Sequence, residues 1–441
     1  MRFAMICLAA QGRLLPMLAV ARELLRRGHE LTFYGPQVVR GHVDAAGVEF
    51  VDRERFAAGR SLEGCGRSSL LRRALPALLR RIGREKYADA RGLRALALHS
   101  AFCRQSADRD LDCIPGALND RPVDALLASD LSQAALTVAE LANVPLVNLS
   151  TGVPRLGDAT IPPEFMPWRY RDAGWARTRN RLGYHLRSVI ELPLLDLLNG
   201  ARARASLAPH RHLGDALPPS AVISQLPPGL DYPARDGAQA VHYVGPFESP
   251  ADRAGGDFPW ERLGEEPIVY VSTGTLSEAE AFFRRVAEAC APLPVQVVMT
   301  RGGGKAPADP ASLPGSPIVV DYCPQLEVLA RASVTVTHGS MNTIVESLAC
   351  AVPVVAIPIM FDQPGCAARL AWTGAGLALS PRRARGARLR ASIRAALEDV
   401  EFAQAAQRMQ RACRDGGGVE RACHLIETVA AGGSTTSHAG N

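Results

Sequence analysis

The stretch that decides the fold runs from Ile318 to Leu379 and reads IVVDYCPQLEVLARASVTVTHGSMNTIVESLACAVPVVAIPIMFDQPGCAARLAWTGAGLAL. Ile318–Val320 is a short apolar run suited to a buried strand, and it breaks at Tyr322-Cys323-Pro324-Gln325. Gln325–Ala332 predicts a short helix with Leu326, Val328 and Leu329 inward. Val334–Thr337 predicts a second strand, ended by His338-Gly339-Ser340-Met341-Asn342-Thr343, from which a helix continues through Glu346 to Cys350. Val352–Ile357 predicts a third strand, closed by Pro358 ahead of Asp362-Gln363. Strand, turn, helix, strand is the grammar of a parallel sheet. Both polar clusters then fall at carboxyl ends of strands, the rim on which open α/β sheets bind ligands.

The clusters suit a nucleotide diphosphate. Residues His338 to Thr343 open a helix, so free backbone N–H groups and the positive dipole end face outward. Gly339 allows close backbone approach, Ser340, Asn342 and Thr343 add donors, and His338 has a ring nitrogen to offer a phosphate oxygen. Glu346, one turn on, is placed to accept from ribose hydroxyls. Asp362 and Gln363 supply the acceptor and donor that a hexose needs together. Any one of Ser340, Asn342 and Thr343 alone reads equally as a helix cap; the whole run does not.

The stretch resembles the donor-binding signature of inverting, nucleotide-sugar-dependent glycosyltransferases of the two-Rossmann-domain (GT-B) type. That pattern has an aromatic residue two before Pro-Gln, then His-x-Gly-x-Asn-Thr/Ser-x-x-Glu, Gly-Val-Pro and Asp/Glu-Gln. It is carried here by Tyr322, Pro324-Gln325, His338, Ser340, Asn342, Thr343, Glu346, Val352-Pro353 and Asp362-Gln363. The resemblance implies base stacking on Tyr322, base contacts from Gln325, and diphosphate contacts from His338 through Thr343. It also implies a ribose contact at Glu346 and sugar contacts at Asp362 and Gln363. Ser340 and Ala351 stand where the pattern has glycine.

The 441 residues are enough for two domains. A 47% hydrophobic content with few aromatics is ordinary for a soluble α/β enzyme, and a net charge of +6 is too diffuse to argue for nucleic acid. Positive charge is carried almost wholly by arginine, with lysine only at 86 and 305. Ten cysteines without CxxC or zinc-type spacing read as reduced, mostly buried thiols. Neither a signal sequence nor a membrane span is recognisable, and a cytoplasmic location is expected.

At the start of the chain, Phe3–Leu8 predicts a strand, Gln11-Gly12-Arg13 a turn, Leu15–Arg27 a helix and Leu31–Tyr34 a second strand. This βαβ opening lacks GxGxxG, which weighs against a dinucleotide enzyme. In the resembling family the first turn carries the His that deprotonates the acceptor. Here that position is Arg13, which stays protonated and cannot act as a general base. Val123–Ala128 predicts a strand ending at Ser129-Asp130, and Asp130 matches the family's carboxylate that orients that His. Three readings stay open. Asp130, held by Arg13, is the base directly or through water; another residue serves, or the acceptor is acidic enough to need none and Arg13 binds its anion; or the pair is a salt bridge only.

Ser61–Arg109 is basic and helical in pattern, which fits a solvated helix face more often than a peripheral membrane contact. Pro162-Pro163-Glu164-Phe165-Met166-Pro167-Trp168, with Tyr170, Trp175 and Arg179-Asn180, reads as a shaped apolar wall. That pattern, with Pro324-Gln325-Leu326-Glu327 and Asp362-Gln363-Pro364-Gly365, resembles the bacterial carotenoid (zeaxanthin-type) glucosyltransferase branch, related to macrolide and other natural-product enzymes. A large apolar hydroxylated acceptor is implied. Ser272-Thr273-Gly274-Thr275 after the strand Ile268–Val271 again suits phosphate, so Ser272, Gly274 and Thr275 join the donor site. Arg301-Gly302-Gly303-Gly304-Lys305 reads as a surface turn.

The expected organisation is an acceptor domain over 1–244, a linker over 245–262 and a nucleotide-sugar domain over 263–405. C-terminal helices over 406–431 pack back on the first domain, and 432–441 is a disordered tail. The expected activity is inverting transfer of a hexose, first glucose, from a UDP- or TDP-sugar co-substrate without a cofactor or metal. The alternative is a catalytically silent nucleotide-sugar-binding auxiliary protein, because of Arg13.

Overall fold

The chain begins with β1 (Arg2–Ile6), buried at every residue after Arg2, and α1 (Gln11–Arg26). The structure is a computed structural model and describes residues 1–57, 92–155, 157–216, 221–233, 241–248, 258–274, 279–302 and 310–432. After α1 come β2 (Glu30–Gly35), the short helix α2 (Arg40–Ala45) and β3 (Glu49–Asp52). Most of the predicted basic segment lies outside the described residues; its end forms part of α3 (Gly92–Asp120). β4 (Ala125–Ser129), α4 (Ala135–Ala142), β5 (Leu146–Ser150), α5 (Gly174–Arg204), β6 (Ala221–Ser224) and β7 (Val241–Tyr243) complete the first half. The second half runs β8 (Ile268–Ser272), α6 (Ala279–Cys290), β9 (Gln296–Thr300), β10 (Ile318–Val320), α7 (Gln325–Leu329), β11 (Ala332–Thr337), α8 (Met341–Ala349) and β12 (Val354–Ala356). It closes with α9 (Gln363–Thr373), β13 (Gly376–Ala378), α10 (Gly386–Glu398), α11 (Val400–Asp415) and α12 (Gly418–Ala430).

Two parallel sheets result, ordered β3-β2-β1-β4-β5-β6-β7 and β10-β9-β8-β11-β12-β13 among the described residues. The strand order reverses between β1 and β4 in the first and between β8 and β11 in the second. At such a switch point, loops leave in opposite directions and open a crevice at the strands' carboxyl ends. Arg13 and Asp130 follow β1 and β4; Gly274 and His338 follow β8 and β11.

Each sheet is covered on both faces. Phe3, Met5 and Phe33 pack with Leu14, Leu18 and Val20 of α1 and with Val419, Cys423 and Ile426 of α12. Ala4, Ile6 and Leu126 pack on the other face with Ile114, Leu118 and Leu197. In the second half, Val269, Val271, Val336 and Val355 meet Phe283, Val286, Leu389 and Ile393. A further cluster joins the halves, with Val153, Leu226 and Leu230 set against Met341, Ile344 and Met409.

Three expectations change. The turn predicted at Gln11–Arg13 is the first turn of α1, because the extended Ala10 accepts at 2.9 Å from the amides of Arg13 and Leu14. The helix predicted over 325–332 stops at Leu329, and β11 starts at Ala332. The C-terminal helices do not return together: α11 packs on α8 through Ala405, Ala406 and Met409, and only α12 lies on α1. The return is made at Gly416, where a Cβ would come within 2.5 Å of the Val244 carbonyl. His29 and Arg27, at the end of α1, reach Glu427 of α12 at 2.9 and 3.2 Å. Of the predicted linker, 249–257 lie outside the described residues, as do Gly303–Lys305 of the predicted surface turn and the tail beyond Gly432.

Candidate active site

A cavity of about 670 Å3 lies between the two halves, walled by both. Its apolar side is built by Leu8, Leu96, Phe102, Leu131, Val153, Phe165, Met341 and Phe361, and its polar end by Arg13, Asp130, His338 and Asp362.

Arg13 sits where the halves meet. Its Nη2 donates to Asp362 Oδ2 at 2.7 Å, while Nη1 lies 3.4 Å from Asp130 Oδ2 and 3.3 Å from Thr151 Oγ1. Asp130 is 3% exposed, and its second oxygen, Oδ1, is buried without a partner. Burial pushes the Asp130 carboxyl above the usual range, the nearby Arg13 charge opposes this, and Asp362 adds to it. Burial would lower the Arg13 pKa, but the carboxylates of Asp130 and Asp362 more than offset it, so the guanidinium stays charged. Gly152 makes the arrangement fit: a Cβ there would overlap the Arg13 guanidinium, with Nη2 only 2.8 Å away.

A second bridge follows from the sequence of α1. Pro16 has no N–H to give the carbonyl four residues back, so the Gly12 carbonyl is left without its helical partner. That carbonyl accepts instead from Asn342 Nδ2, at 2.7 Å, across the cleft. The other end of the Asn342 amide accepts from Gln225 Nε2 at 2.7 Å, and Gln225 also donates to the Thr151 carbonyl at 2.5 Å. Both ends of the Asn342 side chain therefore join the halves rather than standing ready as diphosphate donors.

The remaining predicted residues group around α8. Gly339 takes φ +88, a conformation open to glycine, whereas Ser340 has φ −60 and is unstrained there. The Ser340 side chain makes no cap, which leaves the first amides of α8 at the end of the cavity. Thr343 is buried on the same turn. His338 Nδ1 is 3.3 Å from the Ser272 carbonyl and from Thr337 Oγ1, and burial pushes its pKa down to about 4, so the ring is neutral near pH 7. Ser272 and Gly274 lie beside it: a Cβ on Gly274 would meet the imidazole at 3.1 Å. Thr275 lies outside the described residues. Further along the rim, Gln325 accepts from the Tyr270 hydroxyl at 2.7 Å and donates to the buried Glu346 carboxylate, while Tyr322 is 59% exposed. Gln363 Oε1 accepts from the amides of Ile359 and Met360, both at 2.9 Å, so only its Nε2 end is left to a ligand.

Sequence reasoning missed four contributors. Thr151 and Gln225 directly follow β5 and β6, and the rim rule applied to those strands would have found them. His99 and Phe102 come from α3, where nothing in the pattern separates them from neighbours. His99 is pushed to about pKa 4 by burial and by Arg155. The apolar wall rests on a buried ring of charges: Arg187 holds Glu164 at 2.8 Å and Glu191 at 3.0 Å, and Arg155 pairs with the same two carboxylates. Four charges that cancel in pairs hold the 155–164 loop on α5 at lower cost than any one of them buried alone. Among the described residues, no group of three or more His, Cys, Asp or Glu is arranged to hold a metal ion, and no helix is long and apolar enough to cross a membrane.

Residues 241–429 match the UDP-glucoronosyl and UDP-glucosyl transferase family. A zeaxanthin glucosyltransferase from Pseudescherichia vulneris is 29% identical over 99% of both chains. An oleandomycin glycosyltransferase from Streptomyces antibioticus is 28% identical, over 96% of this chain and 90% of its own. The calicheamicin glycosyltransferase CalG4 superposes with a TM-score of 0.69 at 23% identity, over 98% of each chain. The chain is similar over nearly its whole length to nucleotide-sugar glycosyltransferases, its second half matches that family, and it has the GT-B fold of two Rossmann-like halves.

Proposed function

We propose that the chain moves a hexose, first glucose, from a UDP- or TDP-sugar to a hydroxyl of a large apolar acceptor, with inversion. The observation that carries this reading is the cavity itself, which lines one space with apolar side chains from both halves together with Asp130, Asp362 and the first residues of α8. The similarity to a zeaxanthin glucosyltransferase and an oleandomycin glycosyltransferase supports the acceptor class.

In this proposal the acceptor lies against Leu96, Phe102 and Phe165 with its hydroxyl at Asp130. The hydroxyl proton passes to Asp130 Oδ1, the oxygen with no partner, as the acceptor oxygen bonds to the anomeric carbon. The bond from that carbon to the diphosphate breaks on the opposite face. The leaving charge is taken by the first amides of α8, fixed before reaction, and by His338 as an Nε2–H donor in the tautomer whose Nδ1 accepts from Thr337 Oγ1. Arg13 holds Asp130 in place and also pairs with Asp362. Sugar hydroxyls replace Arg13 on Asp362 when the donor binds. Tyr322, Gln325 and Glu346 receive the base and ribose, and Gln363 Nε2 donates to the sugar.

The test is mass spectrometry of reactions pairing UDP-glucose or TDP-glucose with hydroxylated carotenoids and polyketides. A gain of one hexose is expected, and Asp130→Asn should lower kcat by about 10²–10⁴-fold with donor binding kept. Unchanged turnover in that variant removes Asp130 as base. UDP binding with no product from any acceptor moves the reading to an auxiliary sugar-nucleotide-binding role.

A further inference from the structure

We infer that the surface formed by residues 166–182, completed by Trp372, docks on an anionic lipid bilayer beside the mouth of the acceptor cavity. Trp175 and Leu182 are 62% and 66% exposed, and seven residues on one helix put them on the same face of α5, two turns apart. Residues 166–182 hold five arginines and a single acid, Asp172. Arg169, Arg171 and Arg181 are exposed around the two apolar side chains, and Asp172 is 3.5 Å from Arg177. The aromatics are fixed rather than loose. Arg179 lies over the Trp168 ring at 4.7 Å and the Trp175 ring at 5.2 Å. Trp168 is laid on Gly183, where a Cβ would meet it at 2.9 Å. The belt crosses to the second half, where Trp372, 48% exposed, meets Tyr170 edge-on at 5.2 Å and Tyr170 stacks on Tyr232 at 5.3 Å.

Exposed Trp and Leu ringed by arginines match the depth profile of a bilayer surface: rings at the headgroups, aliphatic carbon below, guanidinium on lipid phosphate. A lipid surface is favoured over a protein partner by continuity with the site. Glu164 and Phe165, which line the cavity, stand immediately before Met166 in the same loop. An apolar acceptor held in the bilayer would then enter the cavity without crossing water. That last step rests on the acceptor class proposed above, whereas the docking does not.

The experiment is co-sedimentation of the full chain with vesicles of phosphatidylcholine alone or mixed equally with phosphatidylglycerol. Binding is expected only to the anionic vesicles, and to weaken with salt. Each arginine at the surface is worth about 5-fold in partition, so Arg169→Gln with Arg171→Gln should lower it about 30-fold. Brominated lipid should quench wild-type fluorescence, and Trp175→Phe should remove most of that quenching. UDP-dependent thermal stabilisation, retained in each variant, shows that it is folded. Equal binding to both vesicle types, or unchanged binding by the arginine variant, overturns the inference. So does a stable dimer that the Trp175→Ser/Leu182→Ser variant converts to monomer, since the patch would then be an interface between copies. Vesicle binding is read without any transfer, so its failure and failure of the proposed reaction are separate results.

Discussion

Arg13→Ala gives the most discriminating test of the site, because it predicts a pH signature as well as a loss. The guanidinium is 16% exposed and stands between Asp130, 3% exposed, and Asp362, 27% exposed. Removing one partner of a fully buried pair costs about 3–5 kcal/mol; the access that water keeps to Arg13 and Asp362 brings this down to about 2–3 kcal/mol. For a chain of 441 residues the entropy scaling gives roughly 1 °C per kcal/mol, so the unfolding midpoint should fall about 2–3 °C near neutral pH. The sign of the pH dependence follows from Asp130. Its folded carboxyl already titrates above its ordinary value, so folding favours the protonated form and stability declines as pH rises from the unfolded value through the folded one. Arg13 limits that decline by pulling the carboxyl down. Without Arg13 the folded pKa climbs further, and the penalty extends to higher pH. The gap between wild type and variant should therefore be widest near neutrality and narrow as pH falls toward the ordinary carboxylate range, where Asp130 is protonated in both states. Scanning calorimetry across that range measures it. A gap independent of pH, or a variant more stable than wild type at neutrality, would refute an electrostatic role for Arg13.

Two further substitutions separate position from charge and relieve a local strain. Gly152→Ala places a methyl group in the space of the Arg13 guanidinium and leaves every charge present. The added methyl group should cost about 1–3 kcal/mol of stability, and transfer with any working acceptor should drop as the guanidinium is pushed off Asp130 and Asp362. Steady-state kinetics indistinguishable from wild type would show that the Arg13 position does not matter. Ala351→Gly acts on a residue held at φ +59, where an alanine pays for left-handed backbone. The glycine should raise stability by about 0.5–1 kcal/mol in denaturant titration, and a loss would show that the unfolded-chain entropy of glycine outweighs the strain.

Ala351 and Ser340 also show what the sequence could and could not say. Both stand where the family pattern has glycine, and from the pattern alone they are equivalent departures. The backbone separates them: Ser340 at φ −60 costs nothing, and Ala351 is strained. The sheet grammar was legible because β-branched runs, Gly339 and the prolines act within a few residues of themselves. The polar rim followed from it, since residues just past a parallel strand have one place to go. What stayed hidden depends on two segments far apart meeting. Arg13 reads from the sequence as a lost base, paired with Asp130 or with an acceptor anion. Only the approach of Asp362, 349 positions away, turns it into a clamp between the halves. Asn342 reads as a phosphate donor until the Gly12 carbonyl, freed by Pro16, takes its amide. In each case the local signal was correct about which groups are chemically available. The partner that claims them is set by how the two sheets face each other, and no short stretch of chain encodes that.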